Sequence, residues 1–508
     1  MDYNAEQLRL PLDLTIKIDE NDPMWTFLEV IREVNLNKYL KKHKGNQGHN
    51  DRMMMKTVLF SYMNQVYSLR QMEEKCRTDI RFIYLSEEER PSHMAFQRFI
   101  NNRLKGNISE IFTEITEIIC RKSKADTRIL FVDGTMIEAN ANKFTFVWKK
   151  TAEKTLKKSM ARVQEVLRSI EKETGLKYAY KELTPGHLNG FAVKVLLYCE
   201  EKAIRFVYGK GKRKTSIQRS YDELRKHTAK IEECIGKIEI CGEDRNSYSK
   251  TDHDATFMHM KYDYYMNTGV FKPGYNIQLG ESDEYIRHIR VGNERTDSRT
   301  FIPFMEGYQK RYGELPGIIA ADAGYGSYDN YMWCLTHQTD AYIKYQLYEK
   351  EKTAEFRKQK YRKENLLHGE DGKLLCPKGR EFVYQSDRIS NKTEYLSIDQ
   401  IYECKTCNRC PYRKSCTKSK GNRQIKINVV LDELREAARE RLDSAAGKQL
   451  REQRCIQAEG TFGIIKNDWN YVRLHRRGYE NVENEIYLVC IGFNLMKYHH
   501  KKYRKLLS

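Results

Sequence analysis

Three acidic residues of this 508-residue chain stand where they could do chemistry. Asp133 closes the apolar run 129–132 and is followed by Gly134 and Thr135. Asp322 closes the run 318–321 and precedes Ala323, Gly324, Tyr325 and Gly326. Glu459 lies in Gln457-Ala458-Glu459-Gly460-Thr461-Phe462-Gly463. A short apolar run bounded by turn residues reads as a buried strand, and the C-terminal ends of strands are where sites gather in α/β sheets. Gly324 and Gly326 let the backbone turn sharply just after the carboxylate. Taken singly, each acid is an ordinary cap or turn residue, since Asp before Gly is a common turn signal. Taken together, they are the ligands that phosphodiester chemistry needs. Two divalent ions roughly 3.5–4 Å apart stabilise the attacking and leaving oxygens, and hard cations such as Mg2+ take carboxylate oxygens. Like charges held that close repel unless cations sit between them, so such a cluster is costly as mere structure.

A second constellation is sulfur. Cys404, Cys407, Cys410 and Cys416 have the spacing C-x2-C-x2-C-x5-C, with Cys376 upstream before Pro377. Zinc takes four thiolate or imidazole ligands, and C-x2-C turns place two on one side of the ion. Thirteen cysteines without a secretion signal are expected to be mostly reduced, which makes clustered ones metal candidates rather than disulfides. The expectation is one structural Zn2+ on Cys376, Cys404 or Cys407, Cys410 and Cys416. Lys405, Arg409, Arg413, Lys414, Lys418 and Lys420 flank it and would rest on phosphate. The plain alternative is a cysteine-rich basic loop with no metal.

The rest of the chain must position these groups. Its formal charge is +20, with 90 Lys and Arg against 70 Asp and Glu. That balance favours a polyanionic partner, of which nucleic acid is the commonest; a merely basic soluble protein is the other reading. A hydrophobic fraction of 40% excludes a disordered chain, and the length suggests two to four units. No apolar run approaches the ~20 residues that span a bilayer. Residues 1–20 mix charges with short apolar pairs, unlike a signal peptide, so a cytoplasmic location is expected.

Residues 1–125 read as helical. The stretch 53–67 is apolar at helical spacing; Ser68 looks like an N-cap, with Leu69, Met72 and Cys76 on one face of the helix it would start. Ser92 would cap another short helix over 92–104. Such helices fit a helix-turn-helix arrangement or a plain packing domain. Strands are expected at 129–133, 274–280, 285–291, 317–321 and 341–345. Between the first and second, Leu156, Met160, Val163, Leu167 and Ile170 form a heptad stripe. Tyr221, Leu224, Ile231, Ile235 and Ile238 form another, broken by Thr228. The two predict a helical hairpin, with 192–199 as a buried strand between them and the basic run 210–214 as a solvated loop or DNA contact. Residues 348–425 are polar, basic and cysteine-bearing. Helix resumes after 430, the segment 451–466 carrying Ile456, Phe462 and Ile465, and 498–507 read as a basic tail.

In order along the chain, the motifs Val132-Asp133-Gly134-Thr135, Ile137-Glu138-Ala139-Asn140-Ala141-Asn142-Lys143, Asp252-His253-Asp254-Ala255-Thr256 and Lys272-Pro273-Gly274-Tyr275-Asn276 resemble the transposases of bacterial insertion sequences. Ala321-Asp322-Ala323-Gly324-Tyr325-Gly326 and Ala458-Glu459-Gly460-Thr461-Phe462-Gly463 with Lys466 continue the likeness, which extends back to Tyr67-Ser68-Leu69-Arg70-Gln71-Met72-Glu73. The family is the DDE class with an RNase H-like core. The resemblance implies that Asp133, Asp322 and Glu459 hold Mg2+ or Mn2+. It implies that Lys466, seven residues and two helical turns after Glu459, lies near the DNA backbone. Many relatives carry an Arg four residues before the Glu; here Cys455 stands there, leaving Arg451 and Arg454 as candidates. Asp252, Asp254 and Asp297 fall in matching segments, as structural or DNA-adjacent residues. Asn140 and Asn142 would support the site or simply end a strand.

The implied fold is α/β: an RNase H-like mixed-sheet core with a helical N-terminal domain, a helical-hairpin insertion and a cysteine-rich insertion. The units would be a DNA-binding domain at 1–125, the first part of the core at 126–347 with the helical insertion at about 149–245, the cysteine-rich insertion at 348–430, and the catalytic helix with the rest of the core at 431–508. The implied activity is metal-dependent cleavage at transposon ends and strand transfer into target DNA. Its partners would be the terminal inverted repeats, target DNA and a second or further copies of the chain, with no membrane. A nuclease without strand transfer and a non-catalytic DNA-binding derivative are the alternatives.

Overall fold

A computed structural model describes residues 17–40, 49–209, 211–260, 270–369, 372–391 and 393–507. Residues 1–16 and Lys210 of the basic run lie outside them. The N-terminal region contains α1 (Pro23–Ile31), α2 (Asp51–Met63), α3 (Leu69–Thr78), α4 (Ile80–Leu85), α5 (His93–Phe99) and α6 (Ile108–Ser123). Their starts are chemical. Asp22 accepts from the Met24 N–H at 2.8 Å, with Pro23 at the first turn. Asn50 accepts from Arg52 at 2.9 Å, and Ser92 from Ala95 at 3.3 Å. Ser68 does stand at the N-cap of α3, but its side chain makes no capping bond.

The main sheet is mixed. Its strands are β1 (Ile129–Glu138), β2 (Thr256–Met260), β3 (Val270–Ser282), β4 (Tyr285–Gly292), β5 (Ile318–Ala321) and β6 (Asp340–Ile343). Strand β1 is central, antiparallel to β3 on one side and parallel to β5 on the other, with β6 parallel beyond β5. The far edge of β3 is shared: β2 pairs with its first half and β4 with its second. A helical N-terminal region against this mixed sheet is the RNase H-like architecture expected of the sequence.

Alternation along β1 sorts its side chains between two layers. Leu130 and Val132 join a core with Phe301, Phe304, Ile319, Tyr325, Trp333 and Leu442. That core is built with α10 (Phe301–Tyr312), α11 (Tyr328–Thr336) and α12 (Val429–Asp443). Phe131 faces the other way and packs with Ala320 and Leu450. Further along that face, Ile137, Ile277 and Leu279 share one large core with the N-terminal helices and the C-terminal helix. The helical region is thus packed on the sheet itself. The segment 498–507, read from sequence as a tail, is the end of that C-terminal helix, residues 479–507. Its apolar residues Val482, Ile486, Leu488, Ile491 and Leu495 explain the continuity, because they are buried against α2, α6 and β4.

Gly492 of this helix sets how closely it approaches α2. A methyl group there would fall 2.6 Å from the Tyr62 carbonyl and 2.8 Å from the Met63 nitrogen, both backbone atoms that cannot step aside. Gly492→Ala is therefore expected to destabilise the fold by about 3 kcal/mol, read as a lowered midpoint in urea unfolding; an unchanged midpoint would refute this packing.

The insertion between β1 and β2 holds three helices, not a two-helix hairpin: α7 (Lys149–Thr174), α8 (Pro185–Glu201) and α9 (Ser216–Cys241). The stripes on α7 and α9 do pack together, and Thr228 is buried there with its hydroxyl donating to the Leu224 carbonyl at 2.8 Å. The expected strand at 192–199 is part of α8. Its apolar residues Leu188, Phe191, Ala192, Val195 and Cys199 recur at helical rather than alternating spacing and are buried in the same core. Thr184 caps the helix, accepting from His187 at 3.2 Å, with Pro185 at its first position.

The cysteine-bearing segment after β6 forms a small lobe around a three-stranded antiparallel sheet, β7 (Phe382–Ile389), β8 (Ile398–Cys404) and β9 (Gln424–Ile427). Its core is small, built of Leu366, Cys376, Phe382, Cys404, Cys407 and Ile425. The chain returns to the main body through α12 and α13 (Ala445–Arg454), then a further helical stretch to residue 468.

Candidate active site

Strand register decides where the first two acids meet. Val132 pairs with Ala321, so Asp133 and Asp322 follow side by side on neighbouring strands. Asp133 is not at the end of β1, as the sequence suggested; the strand runs on to Glu138, held by β3. What ends at Asp133 is the parallel pairing with β5, and the gap beside it opens the sheet edge. Both acids share the parity of Phe131 and Ala320, which pack on Leu450 of α13. The helix that crosses this face therefore delivers its next turns to the acids.

Those turns bring Arg454 and Glu459. Arg454, buried to within 8% of its side chain, donates to Glu459 Oε1 at 2.8 Å and lies 4.0 Å from Asp133 Oδ2. Burial works against its charge, but Asp133, then Cys455, Asp322 and Glu459, outweigh it and hold the guanidinium above its ordinary range. Two acids far apart in the chain, Asp133 and Glu459, thus lie against one cation, with Asp322 beside Asp133 on the neighbouring strand. The backbone anchors the two aspartates locally: Gly134 N–H donates to Asp133 at 2.9 Å and Gly324 N–H to Asp322 at 2.7 Å.

The other expected residues divide. The Lys466 ammonium donates to the Thr135 hydroxyl and, at 2.9 Å, to the Met136 carbonyl, next to Asp133 on β1. The helix carrying it is not a regular α-helix: residues 455–459 and 464–468 are π-turns flanking one α-turn, so Lys466 is less than two full turns from Glu459. Arg451 faces elsewhere, 3.7 Å from Glu349 and over the Tyr348 ring. Asp252 and Asp254 accept from the Tyr275 hydroxyl at 3.0 Å and from the Tyr479 N–H at 2.8 Å. Asn140 donates to the His475 carbonyl at 2.7 Å, and Asn142 accepts from the Phe144 N–H at 3.0 Å.

Two further acids lie beside the site, Asp297 half-buried and Glu281 fully buried. Asp297 accepts from Asn276 at 2.9 Å and Gln278 at 3.0 Å. It reaches the site through glycines: a methyl at Gly134 would lie 2.2 Å from Gln278 Nε2 and 2.8 Å from Asp297, and one at Gly324 3.4 Å from Asp297. Beneath them the fully buried Tyr325 hydroxyl donates to Gln278, its acidity suppressed by burial and then by Asp297, Asp133 and Asp322. Glu281, opposite Phe131 on β3, is completely buried. It accepts from the Thr461 hydroxyl at 2.7 Å, while its other oxygen has no partner.

Burial, opposed by Thr461 and reinforced by Asp133, raises the Glu281 carboxyl to about 8. The folded state then holds a proton that the unfolded state releases near 4.5, so stability falls as pH rises between those values, by about 1.4 kcal/mol per unit. Glu281→Gln keeps an acceptor for Thr461 and carries no titrating group. It is expected to gain stability over the native chain as pH increases from about 6 to about 9, in denaturant titrations at each pH. A difference that does not change with pH would refute the buried proton.

Carboxylate oxygens are the donor chemistry that Mg2+ or Mn2+ prefers, and Asp133, Asp322 and Glu459 present them from one sheet edge and one helix. Among the described residues, no group of three or more His, Cys, Asp or Glu is drawn together as a formed metal site; in this arrangement the guanidinium of Arg454 answers the acids' charge. The five cysteines of the lobe line one cavity with Arg380, Arg413 and Arg423. All are free thiols, and burial, then Cys376 and Cys407, push Cys404 up to about 12. Among the described residues no helix is long and apolar enough to cross a membrane.

Two family models match the chain. Residues 12–102 match a transposase domain (DUF772) and residues 375–499 a transposase DDE domain. The second match includes the cysteine cluster, Arg454, Glu459 and Lys466; Asp133 and Asp322 lie between the two matched stretches. No curated protein matches the chain.

Proposed function

This chain belongs to the DDE-type transposases of the insertion-sequence kind, and on that premise we propose that it cuts DNA at the ends of its own element and joins the freed 3′-hydroxyl to target DNA. The observation that carries this reading is the meeting of Asp133, Asp322 and Glu459 around the buried Arg454. The family generally works with divalent metal ions; here those three acids would hold Mg2+ or Mn2+. Such ions, when bound, stabilise charge on the attacking and leaving oxygens of an in-line displacement.

The chain's own residues supply the rest. Arg454 keeps the acids together and offsets part of their charge. Lys466, tied to β1 beside Asp133, offers a cation to the phosphate next to the scissile bond. Asp297, Gln278 and Tyr325 brace the two aspartate-bearing segments from below. Residues 1–125 serve as the DNA-binding helices, 126–347 and 431–508 as the catalytic core, and 348–430 as a basic accessory lobe. Two ends must be brought together, which calls for a dimer or higher assembly on cytoplasmic DNA.

The test uses the full-length chain and labelled DNA carrying the sequences that flank its gene. Cuts at the element boundary with Mg2+ or Mn2+, and products joined to a target plasmid, are the expected result, lost in chelator. Cuts without joined products would leave a nuclease of the same fold; tight binding without cuts would leave a DNA-binding derivative.

A further inference from the structure

We propose that the lobe between β6 and α12 is closed by one structural zinc ion, held by Cys376, Cys410, Cys416 and one of Cys404 and Cys407.

Little else holds the lobe together. Its three-stranded sheet encloses a core of six residues, and three of the six are cysteines. A unit this small buries too little apolar surface to persist without a staple. Outside the core the strands are wet: Tyr384, Ile389 and Ile398 are all more than two-fifths exposed.

The turns then place the sulfurs. After Cys376, Pro377 and Lys378 lead to Gly379 at φ +77°, whose N–H donates back to the Cys376 carbonyl at 2.7 Å. In the second turn Arg409 adopts φ +56°, unusual for a side-chain-bearing residue, and Cys410 N–H bonds back to the Cys407 carbonyl at 3.3 Å. Both turns fold the chain tightly about a cysteine. Cys407 sulfur also accepts the backbone N–H of Arg423 at 3.4 Å, the kind of bond that favours a thiolate. All five sulfur-bearing residues border one cavity, and the site is empty: among the described residues, no three of them are drawn together as a formed metal site.

Arg413 and Arg423 border that cavity, while burial and the neighbouring cysteines hold Cys404 protonated. Arg423 is buried to within 8%, and its guanidinium donates to Cys416 sulfur at 3.0 Å. Arg413 spans the neighbouring loop, donating to the carbonyls of Cys407, Ser419 and Gly421 at 3.1, 3.2 and 3.0 Å. A buried cation is thus already directed at a sulfur, as Arg454 is at the carboxylates. Soft sulfur donors in a tetrahedral set of four select zinc over Mg2+, so the two metal classes are kept apart by donor type.

The experiment is metal analysis of the full-length chain as purified under reducing conditions. About one zinc per chain is expected. Chelator-stripped protein should take up Co2+ with a sulfur-to-cobalt charge-transfer absorption. Single Cys376→Ser, Cys410→Ser and Cys416→Ser variants should bind zinc roughly tenfold or more weakly in competition with a chromophoric chelator, whereas Cys455→Ser, outside the lobe, should match the native chain. Circular dichroism of each variant with saturating zinc checks that the body remains folded. A purified chain without zinc that takes up neither zinc nor Co2+ would overturn the assignment, as would undiminished zinc affinity in those three lobe variants or a disulfide between lobe cysteines in the reduced preparation.

Discussion

Asp133→Asn is expected to abolish DNA cleavage, by roughly a thousandfold or more, while leaving DNA binding and folding nearly unchanged. The substitution keeps the size of the side chain and leaves a carbonyl oxygen to accept the Gly134 N–H. What it removes is the negative charge on the central strand, beside Asp322 and 4.0 Å from Arg454. Glu459→Gln should behave alike at the helix side. More than half of the Glu459 side chain is exposed, so its loss costs little stability and the defect is confined to chemistry. Gel-shift affinity and cleavage rate, measured on the same end-bearing DNA, separate the two effects. Cleavage retained in Asp133→Asn would remove this acid from the reaction; binding lost with cleavage would mean that the substitution acted on the fold.

Arg454→Met is expected to destabilise the chain by about 3 kcal/mol in chelator. The side chain is nearly buried and faces Asp133, Asp322 and Glu459, and removing it takes a buried positive charge away from the two half-buried aspartates. The Glu459 arm contributes little to that figure, being screened by solvent. Because a divalent ion held by the same acids supplies positive charge, Mn2+ should raise the melting temperature of Arg454→Met more than that of the native chain. Equal stability of the two proteins in chelator would show that the guanidinium does not hold the acids together. An equal Mn2+ shift in both would show that guanidinium and metal do not answer the same charges.

The sequence places Arg451 and Arg454 as equal candidates, since Cys455 occupies the position where relatives carry Arg. Only the helix's path across the sheet separates them: Arg454 faces the acids, and Arg451 faces Glu349 and Tyr348. The spacing of Lys466 misleads for a related reason. A count of seven residues assumes 3.6 per turn, and the π-turns on either side of residues 460–463 widen the helix. Neither Cys455 nor the flanking glycines announce that widening.

Local signals are otherwise strong where burial is two-sided. The runs ending at Asp133 and Asp322 are unbroken apolar segments because both faces of the central strands are covered. The cap at Ser92 is readable because its hydroxyl satisfies a backbone N–H three residues on, whereas Ser68 holds the cap position without making that bond. The segment 192–199 misleads because a short apolar run fits a strand and a buried helix equally, and only its packing between α7 and α9 decides.

What the sequence by itself determined is therefore the central strands and the family, together with the acids proposed to react, since these rest on residue types in a fixed order and on contacts between near neighbours. The tertiary structure alone decided which cation sits among the acids, that Glu281 is buried and Asp297 half-buried beside them, and that the N-terminal helices share one core with the sheet. Those facts depend on strand register and on helix crossing. Register joins residues such as Val132 and Ala321, or Phe131 and Glu281, across gaps far longer than any local rule of spacing can reach.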